Sequence, residues 1–129
     1  MPRRRPSRVR AESRDRSPHL RDQPGPAFAS SALVAALRVL DRERFRPGAG
    51  ARALRRWAEI SREPRPYCCP CCDEGHREII EVALHALPLR TARELRALVE
   101  PLDAAFAART SPDPFAPPDD PWWLRRHVD

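Results

Sequence analysis

The chain has 129 residues, 16 of them proline, and a formal net charge of +6. This length allows one domain at most, since domains usually contain about 100–200 residues. The charge is uneven, because residues 1–26 carry a net charge of +5 and residues 27–129 only +1. The broad basic footprint typical of a nucleic-acid-binding domain is therefore not expected on the folded part.

The N-terminal segment, residues 1–26, is rich in Arg, Pro and Ser and has almost nothing to bury. We expect it to be disordered. It lacks the apolar run of roughly 7–15 residues that a secretory signal needs. The strongest apolar run in the chain, residues 32–36, is far shorter than the about 20 residues that span a bilayer. These features predict a cytoplasmic protein with no membrane partner.

Residues 27–110 have the apolar periodicity of a small helical domain. The first helix is expected to begin at Ser30 or Ser31, which suit an N-cap, and to end at Pro47-Gly48. The second helix is expected to run from about Ala49 to Ser61. The apolar residues recur at the spacing of one helix face, with Leu33, Leu37 and Leu40 in the first helix and Leu54, Trp57 and Ala58 in the second.

Two further helices follow. The third is predicted to begin with Asp73 as its N-cap and to end at Pro88. The fourth opens with Thr91-Ala92-Arg93-Glu94, which has the form of a capping box. Pro101 is expected to kink or split this fourth helix. The apolar stripes are Ile80, Ala83, Leu84 and Leu87 in the third helix, and Leu95, Leu98, Val99, Leu102 and Phe106 in the fourth. No segment alternates like a strand, so the predicted fold class is mainly α.

A cluster of thiols separates the second and third helices. Two overlapping C-x-x-C pairs can each aim two thiolates at one ion, at about 2.3 Å from a zinc. Because cytoplasmic thiols stay reduced, such a cluster favours metal binding over disulfides. We therefore predict a zinc-binding knuckle whose ligands come from Cys68, Cys69, Cys71, Cys72 and His76. Further candidate ligands are Asp73, Glu74, His85 and His127.

A core this small explains why a metal is useful. About 80 residues with few large apolar side chains supply only a few kcal/mol of net stability. Structural zinc adds its binding free energy to folding.

The sequence has no Ser/His/Asp set, phosphate-cradling Gly-rich loop or H-E-x-x-H motif. The leading hypothesis is a small, non-catalytic, zinc-stabilised helical protein that mediates macromolecular interaction, with protein as the favoured partner.

The C-terminal segment, residues 111–129, is rich in proline and tryptophan, and we expect it to be extended. One interpretation is a strap that folds back to cover the small core. The other is a docking segment, because aromatic and arginine side chains are enriched in binding hot spots. The candidate partner-binding residues are Phe115, Trp122, Trp123, Arg125 and Arg126.

Two other functions stay open. The first is a nucleic-acid-binding regulator that uses the basic N-terminal tail and the knuckle. The spacing Cys68-x2-Cys71-x4-His76 resembles the first three ligands of a retroviral-type zinc knuckle, but Glu81 stands where the fourth ligand belongs. The second is a thiol redox protein, because Cys68-Cys69-Pro70-Cys71 has the C-x-P-C form of dithiol oxidoreductases.

Overall fold

The structure is a computed structural model that describes residues 29–66 and 75–128. Within these ranges four α-helices pack around one core and a short C-terminal segment follows. The prediction of a mainly helical protein with four helices is confirmed. The elements are α1 (Ser31–Arg44), α2 (Ala49–Arg62), α3 (His76–Ala86), α4 (Leu89–Ala108), β1 (Ser111–Pro112), a 3-10 helix (Trp122–Arg125) and β2 (Arg126–His127).

Two predicted features lie outside the described residues. They are the N-terminal tail, residues 1–26, and the four cysteines of the predicted knuckle, which fall within residues 67–74.

The junction between α1 and α2 is built on one buried carboxylate. Ser30 caps α1 as predicted, and its hydroxyl accepts the Leu33 N–H at 3.1 Å. The N-cap of α2 is Gly48, which has no side chain to cap the helix. The Asp41 carboxylate takes the role of the missing capping side chain. It accepts the N–H of Gly48 at 3.1 Å and that of Gly50 at 2.9 Å. Burial raises the pKa of Asp41 despite these two hydrogen bonds.

The beginnings of α3 and α4 differ from the prediction. Helix α3 begins at His76, after Gly75 in the left-handed conformation with φ of 64°, and not directly after Asp73. Glycine adopts this conformation without the steric cost that a side chain would impose. Helix α4 begins at Leu89, two residues before Thr91, with Pro88 as its N-cap.

The predicted capping box of α4 is wrong. Thr91 lies inside the first turn, and its hydroxyl donates to the Pro88 carbonyl at 3.0 Å. Both carboxylate oxygens of Glu94 instead accept hydrogen bonds from Ser30, one from its backbone N–H and one from its hydroxyl. A contact across 64 residues has therefore replaced a local one, and it joins the beginning of α1 to α4.

Pro101 does not split α4, which is one continuous helix through this residue, so only the kink stays a prediction. Pro101 is exposed, so its ring disturbs no packing in the core. Val99 before it and Phe106 after it are both buried. Apolar residues are buried on both sides of the proline. This burial stabilises the helix by more than the proline's unfavourable helix propensity destabilises it.

Most of the core comes from the predicted apolar stripes. Apart from Leu98 and Leu102, their side chains are at most 8 % exposed, which confirms that the helical periodicity marks most of the core. Ala53, Ala92 and Trp123 are core residues outside these stripes. Leu98 and Leu102 are partly buried and pack against the core. The buried members of the predicted stripes are Leu33, Leu37, Leu40, Leu54, Trp57, Ala58, Ile80, Ala83, Leu84, Leu87, Leu95, Val99 and Phe106.

The C-terminal segment folds back on the helices and is not an extended tail. Strands β1 and β2 pair antiparallel, with Ser111 opposite His127 and Pro112 opposite Arg126. No strand was expected from the sequence, and two residues in each strand are too few to show an alternating pattern. Trp123, from the 3-10 helix, is 9 % exposed and belongs to the core.

Candidate functional site

His76 is the one predicted knuckle ligand among the described residues. It is the first residue of α3 and is 8 % exposed. The segment that contains the four cysteines joins the end of α2 to this position. A metal held by this segment and His76 would therefore connect α2 to α3.

The other candidate histidines have different surroundings. His85 is 73 % exposed and its Nε2 lies 3.2 Å from Glu81 Oε1. It is nine residues beyond His76 on the same helix, which at 1.5 Å per residue separates the two backbones by about 13 Å. His127, in β2, lines the same cavity as His76. Within residues 29–66 and 75–128, no group of three or more His, Cys, Asp or Glu could hold a metal ion.

A buried ion-pair network begins at the residue after His76. Arg77 is 6 % exposed. Its Nε donates to Asp103 Oδ1 and its Nη2 to Asp103 Oδ2, both at 2.9 Å. Its Nη1 donates to Glu81 Oε2 at 2.8 Å. All three guanidinium nitrogens thus donate to a carboxylate, and the two parallel bonds to Asp103 have the bidentate geometry in which arginine binds carboxylates strongly.

The charges in this network stabilise one another. Burial lowers the pKa of Arg77, but the hydrogen bonds and charges of Asp103 and Glu81 outweigh burial and raise it. Burial alone raises the pKa of Glu81, yet its contacts with Arg77 and His85 leave the pKa below its ordinary value. The cation and its carboxylate partner Glu81 are therefore both held in their charged forms.

Two tryptophans complete the network. Trp57 of α2 donates its indole N–H to Asp103 Oδ1 at 2.9 Å. The Trp123 ring lies against Arg77, with the guanidinium carbon 4.5 Å from the ring centroid. Trp123 also donates its indole N–H to Glu78 Oε1 at 2.9 Å. Through Trp123, the C-terminal segment is thus attached to α3 by a cation–π contact and a hydrogen bond.

Arg126 attaches the same segment to the end of α4. Its Nε donates to the Thr110 hydroxyl at 2.7 Å. Its Nη2 donates to two backbone carbonyls, those of Ala107 at 2.8 Å and Thr110 at 2.7 Å. The last carbonyls of a helix have no partner within the helix, and a guanidinium satisfies them with a charge that the helix dipole favours.

A cavity of about 650 Å³ lies between the C-terminal segment and the helices. It has both apolar and ionisable walls. Trp57 and Phe106, whose ring centroids are 4.8 Å apart, contribute aromatic surface from the helical side. The C-terminal segment contributes Asp113, Arg126 and His127. The cavity also reaches His76, so it adjoins the predicted metal site.

The five predicted partner-binding residues fall into two groups. Trp123 is buried, and Trp122 and Arg126 are half-buried, with Trp122 6.2 Å from the Phe106 ring. These three lie on the side of the segment that packs against the helices, as expected for a covering strap. Phe115 is 94 % exposed and Arg125 is exposed. Their ability to bind a partner stays a prediction.

The sequence analysis missed the centre of the network, Arg77, Asp103 and Glu78. Arg77 and Asp103 are 26 residues apart, on separate helices, and Glu78 and Trp123 are 45 residues apart. No local pattern relates residues at such separations. The only available signal was the position of Arg77 beside the apolar stripe that includes Ile80 and Leu84.

No helix in the described part of the chain is long and apolar enough to cross a membrane. Comparisons of the chain with known protein families, with curated proteins and with solved structures gave no match.

Proposed function

We propose that this protein is a small, non-catalytic helical scaffold, stabilised by zinc, that binds a protein partner through its C-terminal segment. One observation carries the proposal. Trp123 and Arg126 fix the segment to the helices, while Phe115 of the same segment is 94 % exposed.

An exposed aromatic on an anchored segment suits a binding role. Covering a phenylalanine side chain gains about 1.5–3 kcal/mol. The Phe115 backbone N–H already donates to Asp113 Oδ1 at 2.9 Å, so the local turn is held before any partner arrives. An ordered binding segment loses less conformational entropy on association than a flexible one. The exposed Arg125 is of a type enriched in hot spots, and Leu124, 42 % exposed, adds apolar surface.

The zinc part of the proposal rests on donor chemistry and on the position of His76. Cys68, Cys69, Cys71 and Cys72 precede a buried histidine in the first turn of α3. Three thiolates and one imidazole form a common structural zinc set. Zinc at this point would connect α2 to α3 and add its binding free energy to the stability of a small core. This role requires no turnover.

Metal analysis of the purified full-length protein tests the zinc site. We expect stoichiometric zinc in the wild type, and less zinc with a lower melting temperature when any one of the three ligand cysteines is changed to Ser, whereas the same change at the spare cysteine should keep the zinc. His76→Gln should behave like the ligand-cysteine variants. His85→Gln, on the same helix but exposed, is the matched control and should keep its zinc. A wild type without stoichiometric metal would contradict the proposal, and a fast-alkylating thiol in that protein would favour the redox alternative.

The partner site requires a separate experiment. A photo-crosslinking amino acid at position 124 should capture a discrete partner in the cells that make the protein. Adding Phe115→Ala should remove this adduct without changing the melting temperature. The same crosslinker at position 89 is the control, since Leu89 is 68 % exposed at the start of α4. The identified partner must then bind the purified protein, and bind Phe115→Ala more weakly. Equal adducts at both positions would refute a docking role for the segment.

A further inference from the structure

The described residues divide into a basic and a slightly acidic part. Residues 29–66, which form α1 and α2, hold nine Arg against four acidic residues, a net charge of +5. Residues 75–128 hold seven Arg against eight acidic residues, a net charge of −1. The near-neutral total of the folded part therefore conceals a strongly basic region, and the eight Arg of residues 1–26 lead directly into it.

Four arginines in the second half of α1 and just after it form what we call the basic patch. All four are exposed, and none of their side chains makes a hydrogen bond or an ion pair within the described residues. Within that part of the chain, Arg90, Arg93 and Arg96 of α4 are exposed and unpaired as well, but that helix holds as many acidic residues as arginines. Residues 38–46 hold four arginines against two acidic residues, the buried Asp41 and the exposed Glu43, so their net charge is +2. The basic patch consists of Arg38, Arg42, Arg44 and Arg46.

The spacing of the patch suits a row of phosphates. Arg38 and Arg42 are four residues apart and so share a helix face, about 6 Å apart along the axis. Successive phosphates of one DNA strand are about 3.4 Å apart along the duplex axis, so every second phosphate repeats at nearly the same interval. Arg44 is two residues beyond Arg42 and therefore lies on another side of the helix, and Arg46 follows the end of the helix, so only Arg38 and Arg42 form this row. Guanidinium groups also match phosphate oxygens with two parallel hydrogen bonds.

The helix dipole explains the positions of only two of the four arginines. Arg42 and Arg44 lie in the last turn of α1, where the helix dipole favours cations by about 0.3–1 kcal/mol each. Arg38 is one turn earlier and Arg46 lies beyond the helix, so the dipole does not explain them.

A lipid surface is a poorer fit than nucleic acid. A membrane-binding helix needs a broad exposed apolar face, whereas Val39, 45 % exposed, is the one large exposed apolar side chain of α1.

We propose that the basic patch binds the phosphate backbone of nucleic acid. This surface is distinct from the C-terminal segment proposed to bind protein, and it does not depend on zinc. It also differs from binding by the N-terminal tail alone, because Arg38, Arg42 and Arg44 are held by a folded helix. Binding through phosphates predicts little sequence preference and a strong dependence on salt.

The test is the salt dependence of binding by full-length protein. Fluorescence anisotropy with a labelled duplex of about 20 base pairs, between about 50 and 200 mM salt, gives the slope of log K against log salt. Two phosphate contacts, from Arg38 and Arg42, contribute a slope of about −1.8, which corresponds to a roughly 12-fold loss of affinity over this range. Arginines of the N-terminal tail add to the wild-type slope, so the change on mutation is decisive. The double variant Arg38→Ala/Arg42→Ala should make the slope shallower by about 2.

The matched control removes the same charge from α4. Arg90 and Arg93 are exposed, and Arg90→Ala/Arg93→Ala should leave the slope within about 0.5 of wild type. Thermal unfolding checks that both double variants are folded. Equal changes in the two double variants, or no change in the α1 variant, would overturn the proposal. So would an α1 variant that keeps DNA binding but loses binding to vesicles of equimolar phosphatidylcholine and phosphatidylserine, since the patch would then be a lipid-binding surface.

Discussion

Arg77 and Asp103 form a two-point ion pair that joins α3 to α4, with Nε–Oδ1 and Nη2–Oδ2 distances of 2.9 Å. The same carboxylate accepts the indole N–H of Trp57 from α2. One aspartate therefore links three helices, and the arginine that it binds carries the ring of Trp123 on its face. The C-terminal segment is thus attached to the point where the helices are themselves connected.

Removing the arginine should strongly destabilise the fold. Arg77→Ala leaves Asp103, 20 % exposed, without its cation, and breaking such a buried pair costs about 3–5 kcal/mol. Arg77→Lys should not restore stability, because an ammonium cannot donate in the fork geometry. Urea unfolding measures both. The control is Arg56→Ala, which breaks an exposed pair with Glu59 and should cost less than about 1 kcal/mol. Similar losses in the two alanine variants would show that the buried network is unimportant.

Adjacent arginines in the C-terminal segment should differ in their effects. Arg126→Ala removes three hydrogen bonds to the end of α4 and should cost about 1.5–3 kcal/mol. Arg125→Ala removes an exposed side chain and should change stability by less than about 0.5 kcal/mol. Hydrogen exchange of the amides of residues 111–128, together with chemical unfolding, measures the difference. Equal protection in both variants would mean that Arg126 does not anchor the segment.

The contact between Glu94 and Ser30 should make stability depend on pH. Hydrogen bonds from the Ser30 hydroxyl and backbone N–H hold the pKa of Glu94 below its ordinary value of 4.5. The native state therefore binds this proton more weakly than the unfolded state does. The stabilisation is present above the ordinary pKa and is lost as the pH falls through the lowered pKa.

Replacement of Glu94 by Gln tests this dependence. The amide nitrogen cannot accept a hydrogen bond from Ser30, so Glu94→Gln should be less stable than wild type at neutral pH. The difference should shrink as the pH falls through the acidic range, in urea unfolding curves measured at a series of pH values. Glu100→Gln, an exposed glutamate of the same helix, is the control. A difference from wild type that is constant with pH would contradict the assignment.

Gly50 should not tolerate alanine, although alanine is normally favoured over glycine in helices by about 1 kcal/mol. A Cβ here would lie 3.0 Å from Leu37 Cδ2 and 3.2 Å from Asp41 Oδ1. Leu37 is buried, and Asp41 is held by its hydrogen bonds, so neither can move away freely. We expect Gly50→Ala to lose about 1–3 kcal/mol, as overpacked cores do. In a double-mutant cycle, Leu37→Val added to Gly50→Ala should recover part of the lost free energy of unfolding. If the free-energy changes of the two single variants simply add, a clash with Leu37 is not the cause.

Much of the fold could be predicted because the main signals are local. The apolar repeats of residues 33–40, 54–58, 80–87 and 95–106 reflect the geometry of a helix, so they identified both the helices and the buried side chains. Ser30 was found as an N-cap because its hydroxyl bonds to a residue three positions away. The junction Pro47-Gly48 was found because proline and glycine end helices wherever they occur.

The features that depend on packing involve residues far apart in the chain. Glu94 has the sequence position of a local cap but bonds to Ser30, and Pro101 lies within a continuous helix because the core holds both sides of it. The partners of Arg77 appear only once the helices are packed. Sequence patterns encode periods of a few residues, whereas these contacts depend on how whole helices lie against one another. Local patterns therefore specify the helices and most of the core, whereas packing decides which charged side chains are paired.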